Sequence, residues 1–106
     1  MSLTSTHDVQ YWLYASLNKK FGKQISIRRD PLHSRYDVNR HCFYVYGTNI
    51  YDLFSFLNGM LRDSGYVETE YDMIYRKTIS NWNLYVSIRY TSDAKILIGI
   101  YKYQKV

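Results

Sequence analysis

The sequence predicts a single α+β domain in which two helices cover one face of an antiparallel sheet of about five strands. The chain has 106 residues, which suits one domain over residues 1–106. Two segments carry apolar residues at helical spacing, whereas the other ordered segments alternate apolar and polar residues as strands do. The predicted order is α-β-β-α-β-β-β, for which an antiparallel sheet with one covered face is the natural packing.

The first helix is predicted to begin near Ser5 or Thr6, because Asp8 follows Ser5 at the spacing of a capping box. Gly22 is predicted to end this helix, after a last turn rich in lysine. The face that should pack on the sheet comprises Val9, Trp12, Leu13, Ser16, Leu17 and Phe21.

The second helix has the clearest pattern in the chain. Asn49 is the predicted N-cap, with Asp52 three residues later, and Gly65 is the predicted stop. Tyr51 and Phe56 flank the apolar face and would support a homodimer if they stayed exposed. That apolar face comprises Ile50, Leu53, Phe54, Leu57, Met60 and Leu61.

The strands are predicted at residues 24–29 and 38–46, with a loop at Pro31 between them, followed by a three-stranded meander. The meander turns are placed at Ser80-Asn81 and at Thr91-Ser92-Asp93. In this register Leu84, Val86 and Ile88 pair with Ile100, Ile98 and Ile96, and Met73 and Tyr75 pair with Ile88 and Val86. A slip of one residue would move these apolar sets to opposite faces.

The other face of the sheet is expected to be open. On this face the register puts Asp72 across from Arg89, Arg76 across from Tyr85, and Tyr85 beside Gly99. Leu97, Tyr101 and Tyr103 should lie near them.

The net charge of +5 is unevenly distributed along the chain. Residues 19–41 and residues 76–106 each carry +5, whereas residues 42–75 carry −4. Basic segments of this kind contact phosphates and gain affinity by releasing condensed counterions. The same charge is also consistent with an ordinary solvated surface.

The 13 tyrosines favour a binding surface, because aromatic rings on a basic sheet can stack with unpaired bases. Tyrosine and arginine equally suit a protein interface, and tyrosine also favours strands without any further role. The residues predicted to bind nucleic acid or a partner are Arg28, Arg29, Arg35, Arg40, Tyr44, Tyr46, Arg76, Tyr85, Arg89, Tyr101, Lys102 and Tyr103.

Several classes of site are not expected. The isolated glycines form no phosphate-binding loop, so no cofactor is predicted. His41 and Cys42 are neighbours on a strand and therefore poor joint metal ligands, so no metal is predicted. A single cysteine fits a reducing compartment, or an oxidising one in which cystines are not needed, and we expect an intracellular, cytoplasmic protein. No apolar run has the length of a membrane helix, so no membrane partner is expected.

The sequence thus favours a small non-catalytic protein that binds nucleic acid, or an acidic or nucleic-acid-handling protein, through a basic, tyrosine-rich surface. Two alternatives remain open. A small metal-independent endoribonuclease is one, since such chemistry needs a base, an acid and cations, and His33, Arg35 and His41 lie close in sequence. An inhibitor or immunity-type protein that caps another protein is the other.

Residues 93–104, Asp-Ala-Lys-Ile-Leu-Ile-Gly-Ile-Tyr-Lys-Tyr-Gln, resemble the last hairpin of RelE-type and YoeB-type ribosome-dependent endoribonuclease toxins. The resemblance implies a ribonuclease whose last strand carries the catalytic group. Gln104 stands where the most similar toxins have a histidine, and the helix predicted first here replaces the first strand of that family.

Overall fold

The computed structural model describes residues 4–30, 40–91 and 95–105 and confirms the α+β class. The Pro31 loop, His33, Arg35 and most of the Thr91–Asp93 turn lie outside these ranges. In the described ranges the elements are α1 (Thr6–Phe21), β1 (Ser26–Arg29), β2 (Arg40–Tyr46), α2 (Ile50–Asp63), β3 (Val67–Glu68), β4 (Ile74–Ile79), β5 (Trp82–Tyr90) and β6 (Ile96–Gln104). A short 3-10 turn, Gly22–Gln24, follows α1.

The strands form one six-stranded sheet in the order β1-β2-β6-β5-β4-β3, with every neighbouring pair antiparallel. The sheet therefore has one strand more than predicted. The additional strand, β3, is only two exposed residues long and has no alternating pattern that would reveal it in the sequence.

Helix α1 begins as its sequence predicts. The Ser5 side chain accepts a hydrogen bond of 3.1 Å from the backbone N–H of Asp8, which satisfies one of the unpaired donors of the first turn. Val9, Leu13 and Leu17 are buried against the sheet, as expected from their spacing.

Helix α2 is defined at both ends. The Asn49 side chain accepts from the N–H of Asp52 at 2.9 Å. At the other end Gly65 has φ of +92°, and its N–H donates to the carbonyl of Arg62 while Tyr66 N–H donates to that of Leu61. These two bonds make a Schellman motif, in which buried Tyr66 packs in the same core as Leu61.

The predicted faces of the meander are correct, but one register is wrong by two residues. Tyr75 pairs with Val86 as predicted, across the Ser80-Asn81 turn. Between β5 and β6, however, Val86 pairs with Ile100 and Ile88 with Ile98. A shift of two residues keeps the same side chains on the same face, so the apolar pattern does not detect it.

This shift changes the neighbours on the open face. Tyr85 lies opposite Tyr101 rather than beside Gly99, and Gly99 lies opposite Ser87. The hairpin is longer than the three-residue turn predicted, since Thr91 N–H donates to the carbonyl of Lys95 at 2.9 Å.

The core lies between the helices and one face of the sheet. It combines the leucines of both helices with the apolar residues of β2, β5 and β6, and Tyr75 and Phe43 are its largest fully buried side chains. No helix in the described part of the chain is both long and apolar enough to cross a membrane.

Candidate functional site

Strand alternation gathers most of the predicted binding residues on the face of the sheet opposite the helices. We call this face the open face. By the observed strand pairing it carries Arg28, Arg40, Tyr44, Tyr46, Arg76, Tyr85, Arg89, Tyr101 and Tyr103. These residues come from five of the six strands, so only the folded sheet brings them together.

Arg29 and Lys102 do not join the open face. Arg29 pairs with Phe43 and Lys102 with Leu84, which puts both side chains on the helix-covered face. Arg35 lies outside the described residues.

The centre of the open face is built on Gly99. A side chain at Gly99 would overlap the Tyr101 ring, whose Cε2 and Cζ atoms lie 2.6 Å and 2.7 Å from the position of an added Cβ. Glycine at this position therefore lets the ring lie against the strand. The Tyr101 hydroxyl also contacts the buried Cys42 Sγ at 3.8 Å.

Tyr101 belongs to a cluster of three rings. Tyr101 and Tyr103 are parallel to within 7°, with ring centroids 6.4 Å apart. The Tyr85 ring lies 6.1 Å from that of Tyr103. Tyr103 is 54% exposed, so one ring of the cluster is accessible to a stacking ligand.

The ring cluster lines a cleft of about 980 Å³, which is large enough for one or two nucleotides. The cleft runs from the end of β6 to the turn that precedes β4. Sequence reasoning did not place Tyr71, Asn83, Ser87, Gln104 or Lys105 there, because they meet only through the observed register. Its lining comprises Tyr71, Asp72, Ile74, Asn83, Tyr85, Ser87, Ile88, Arg89, Tyr101, Tyr103, Gln104 and Lys105.

The other half of the open face presents cations on top of aromatic rings. The Arg40 guanidinium lies 5.3 Å from the centroid of the Tyr101 ring. Arg28 lies 5.8 Å from that of Tyr46, and Lys95 lies 5.6 Å from that of Tyr44. Lys95 was not among the predicted binding residues; its contacts with Tyr44 and Tyr46 depend on the pairing of β2 with β6.

Two phenols of this face, those of Tyr44 and Tyr101, have a raised pKa. Burial, with a further contribution from the nearby Asp30 carboxylate, raises the pKa of Tyr44. Burial, together with the adjacent Cys42 sulfur, raises the pKa of Tyr101. These two phenols therefore add no negative charge near pH 7 that would repel phosphate.

The two histidines considered as ribonuclease catalysts, His33 and His41, are distributed differently from the binding residues. His33 lies outside the described residues. Cys42 is buried on the open face, whereas His41 points to the helix-covered face, as strand neighbours must. Among the described residues no group of three or more His, Cys, Asp or Glu side chains is placed to hold a metal ion.

Comparison of the chain with protein-family models, with curated proteins and with solved structures finds no match.

Proposed function

We propose that this protein binds single-stranded nucleic acid across the open face of its sheet. The observation that carries the proposal is the ring cluster of Tyr85, Tyr101 and Tyr103, which lines the cleft. An arginine side chain lies over the ring of Tyr101, and a lysine side chain lies over the nearby ring of Tyr44. Unpaired bases stack on aromatic rings, and cations beside them contact the phosphates.

The two halves of the face have different roles in this proposal. Tyr85 and Tyr103 offer the stacking surfaces, since they line the cleft and Tyr103 is well exposed. Arg28, Arg40 and Lys95 supply positive charge across β1, β2 and the start of β6. Arg89, exposed in the cleft, supplies a cation close to the stacked base.

A single strand suits this surface better than a duplex does. Bases in a duplex are stacked on one another, so their faces are not available to side chains. Binding should be tolerant of sequence, because every base has a face that can stack, and it should weaken steeply with salt.

The test is fluorescence anisotropy with labelled single-stranded RNA, single-stranded DNA and duplex DNA of about 12 nucleotides, a length in the range of single-domain binding sites. Measurements at ~50 and ~200 mM salt give the number of phosphate contacts. We expect single strands to bind more tightly than duplex, with the affinity falling by roughly a hundredfold between the two salt concentrations.

Variants locate the site. Tyr85→Ala and Tyr103→Ala should each weaken binding by roughly 5- to 100-fold, the usual value of one stacked base. Arg89→Ala should lower the slope of affinity against salt by about one phosphate contact. Tyr51→Ala is the matched control, because Tyr51 is 78% exposed on α2 and should not contact the ligand.

The proposal is wrong if the protein with both Tyr85→Ala and Tyr103→Ala binds single strands as the unmodified protein does. Absence of binding at low salt would also reject it. A complex with an acidic or nucleic-acid-handling protein that survives nuclease treatment would then be the alternative to pursue.

A further inference from the structure

The end of the cleft that lies at the turn before β4 carries a carboxylate beside an arginine. Asp72 and Arg89 both line the cleft, and both are exposed. Among the described residues that line the cleft, Asp72 is the only carboxylate. Arg89 lies four residues along β5 from Tyr85, or about 13 Å, so this end is separate from the stacked rings. A carboxylate here repels phosphate and therefore suits another part of a nucleotide.

The backbone brings Asp72 and Arg89 close together. The Ile88 N–H donates to the Met73 carbonyl at 2.9 Å, which continues the pairing of β4 with β5 by one residue beyond Ile74. Asp72 precedes Met73 and Arg89 follows Ile88, so the two side chains start from neighbouring positions. In the described part of the chain neither the carboxylate nor the guanidinium has a hydrogen bond or an ion pair, so both are available to a ligand.

The turn that carries Asp72 is held in one shape by several hydrogen bonds. The Ile74 N–H donates to the Tyr71 carbonyl at 3.3 Å and closes the turn. Thr69 secures its start, because its N–H donates to the Ile74 carbonyl at 2.9 Å and its hydroxyl accepts from the Tyr71 N–H at 3.2 Å. Met73 has φ of +61°, which costs free energy in a residue with a side chain. The turn therefore presents Tyr71 and Asp72 at the cleft with little further ordering on binding.

A carboxylate beside an arginine matches the hydrogen-bonding groups of guanine. An ionised carboxylate accepts hydrogen bonds and donates none, so it selects a base edge that carries N–H groups. Guanine has two adjacent donors, N1–H and the 2-amino group, whereas adenine and cytosine each offer one amino group and uracil offers one N–H. Guanine also carries O6 and N7, the pair of acceptors onto which arginine forks most often. Of the four bases, only guanine offers two bonds to each group.

We propose that Tyr71, Asp72 and Arg89 form a guanine-specific subsite at this end of the cleft. Asp72 accepts from N1–H and the 2-amino group, and Arg89 donates to O6 and N7. The Tyr71 ring, which is 64% exposed and lines the cleft, offers the face on which the base stacks.

This inference rests on the proposed function, since the guanine belongs to the single strand that is bound on the open face. Stacking on Tyr85 and Tyr103 does not distinguish the bases, so binding stays tolerant of sequence at the other nucleotides. On a strand without guanine, Arg89 contacts a phosphate instead.

The test compares RNA strands that differ at one nucleotide. Fluorescence anisotropy at ~50 mM salt is measured with labelled uridine strands of about 12 nucleotides, in which one central nucleotide is guanosine, adenosine or inosine. Adenosine is the control for the stronger stacking of a purine, and inosine lacks only the 2-amino group of guanosine. Each strand is measured with the unmodified chain, with Asp72→Asn and with Glu70→Gln. Glu70→Gln is the matched control, because Glu70 is exposed in the same segment, loses the same charge and does not line the cleft.

We expect the unmodified chain to bind the guanosine strand roughly 5- to 100-fold more tightly than the adenosine strand, the usual value of one bidentate base contact. The inosine strand should fall between them, because it keeps N1–H and loses the second bond to Asp72. Asp72→Asn should bind the three strands with nearly equal affinity, since an amide has one acceptor oxygen and no charge. Glu70→Gln should keep the preference for guanosine. Both variants should keep the thermal unfolding curve of the unmodified chain, because both side chains are exposed.

Three results would overturn the subsite, and the strands distinguish its failure from that of the proposed function. Equal affinity of the unmodified chain for the guanosine and adenosine strands would reject the subsite alone, since single strands would still bind. A preference for guanosine that Asp72→Asn retains would reject it too, because the carboxylate would not be the group that recognises the base. If no strand binds, the proposed function and the subsite are both wrong.

Discussion

At Gly99 the backbone of β6 comes so close to the Tyr101 ring that no other residue fits without moving it. The glycine fixes where the ring lies, and the ring covers Cys42 and receives the Arg40 guanidinium. Glycine at position 99 therefore allows the Tyr101 phenol to contact both the Cys42 thiol and the Arg40 guanidinium. Glycine in a strand interior is otherwise unfavourable, so the close approach explains why it is here.

The dependence of Tyr101 on Gly99 can be measured as a coupling energy. Gly99→Ala should destabilise the protein by about 1–3 kcal/mol, because the new methyl group overlaps the ring. In a Tyr101→Ala background the same change should cost less than about 1 kcal/mol, since the overlap is gone. Urea denaturation of the four proteins checks this, and equal costs in both backgrounds would show that the ring is not the obstacle.

Single residues are also where the sequence is least informative about the site. His41 was considered from the sequence, but its ring contact with His7 was not expected, because the 33 positions between the two residues carry no sign that they meet. The only local signal is the spacing of His7, Tyr11 and Tyr14, which puts three rings on one side of α1. Their meeting with β2 is a tertiary contact that composition and spacing do not encode.

At the scale of elements, the helices follow from sequence almost residue by residue. Ser5, Asn49 and Gly65 cap the helices as predicted, because capping depends on side chains within a few residues of the helix end. β3 could not be predicted, because two exposed residues that pair with β4 carry no periodicity. At Gly59, inside α2, an added Cβ would meet nothing within 4 Å.

Gly59 inside α2 and Gly65 just beyond its end should respond oppositely to alanine. Gly59→Ala should stabilise the protein by roughly 0.5–1 kcal/mol, since the position is exposed, open and inside the helix. Gly65→Ala should destabilise it by about 1–2 kcal/mol, because φ of +92° is unfavourable for any residue with a side chain. Thermal unfolding of both variants provides the comparison, and a shift in the same direction would contradict this assignment of the helix end.

At the scale of the whole molecule, the apolar pattern determines which face of each strand is buried, and this much could be predicted from sequence. It does not determine the pairing of β5 with β6, because that pattern repeats every two residues and is equally satisfied after a slip of two. The longer connection from Thr91 to Lys95 sets the actual register. The cleft depends on this register, so its lining could not be read from the sequence.

The free energy of unfolding should fall at alkaline pH because a tyrosine that is buried in the core ionises there less readily than in the unfolded chain. Burial raises the pKa of Tyr66 to about 12, compared with an unfolded value of about 10. The contribution of the neutral Tyr66 phenol to the free energy of unfolding is fully present below about pH 10 and is lost as the pH rises toward 12. The loss should approach 2–3 kcal/mol, or about 1.4 kcal/mol for each pH unit of the difference.

Tyr66→Phe should remove this part of the pH dependence, while Tyr71→Phe, at a tyrosine that is 64% exposed, should not. Denaturation of the three proteins at about pH 9 and about pH 11 measures how much stability each loses between the two pH values. All three contain the same lysines, so the titration of lysine does not affect the comparison. If Tyr66→Phe loses as much stability between these two pH values as the unmodified protein does, the ionisation of the buried Tyr66 phenol is not the cause of the loss.

The place of β6 between β2 and β5 governs when the sheet can be completed during synthesis. Residues 6–46 give one helix and one pair of strands, and residues 50–90 give the other helix and a three-stranded piece. These two pieces share no strand pairing until the ribosome has made residues 96–104. Until then each piece has an unpaired strand edge, β2 in one and β5 in the other. The nascent chain is therefore exposed to misassembly until β6 emerges, because β6 joins the two pieces.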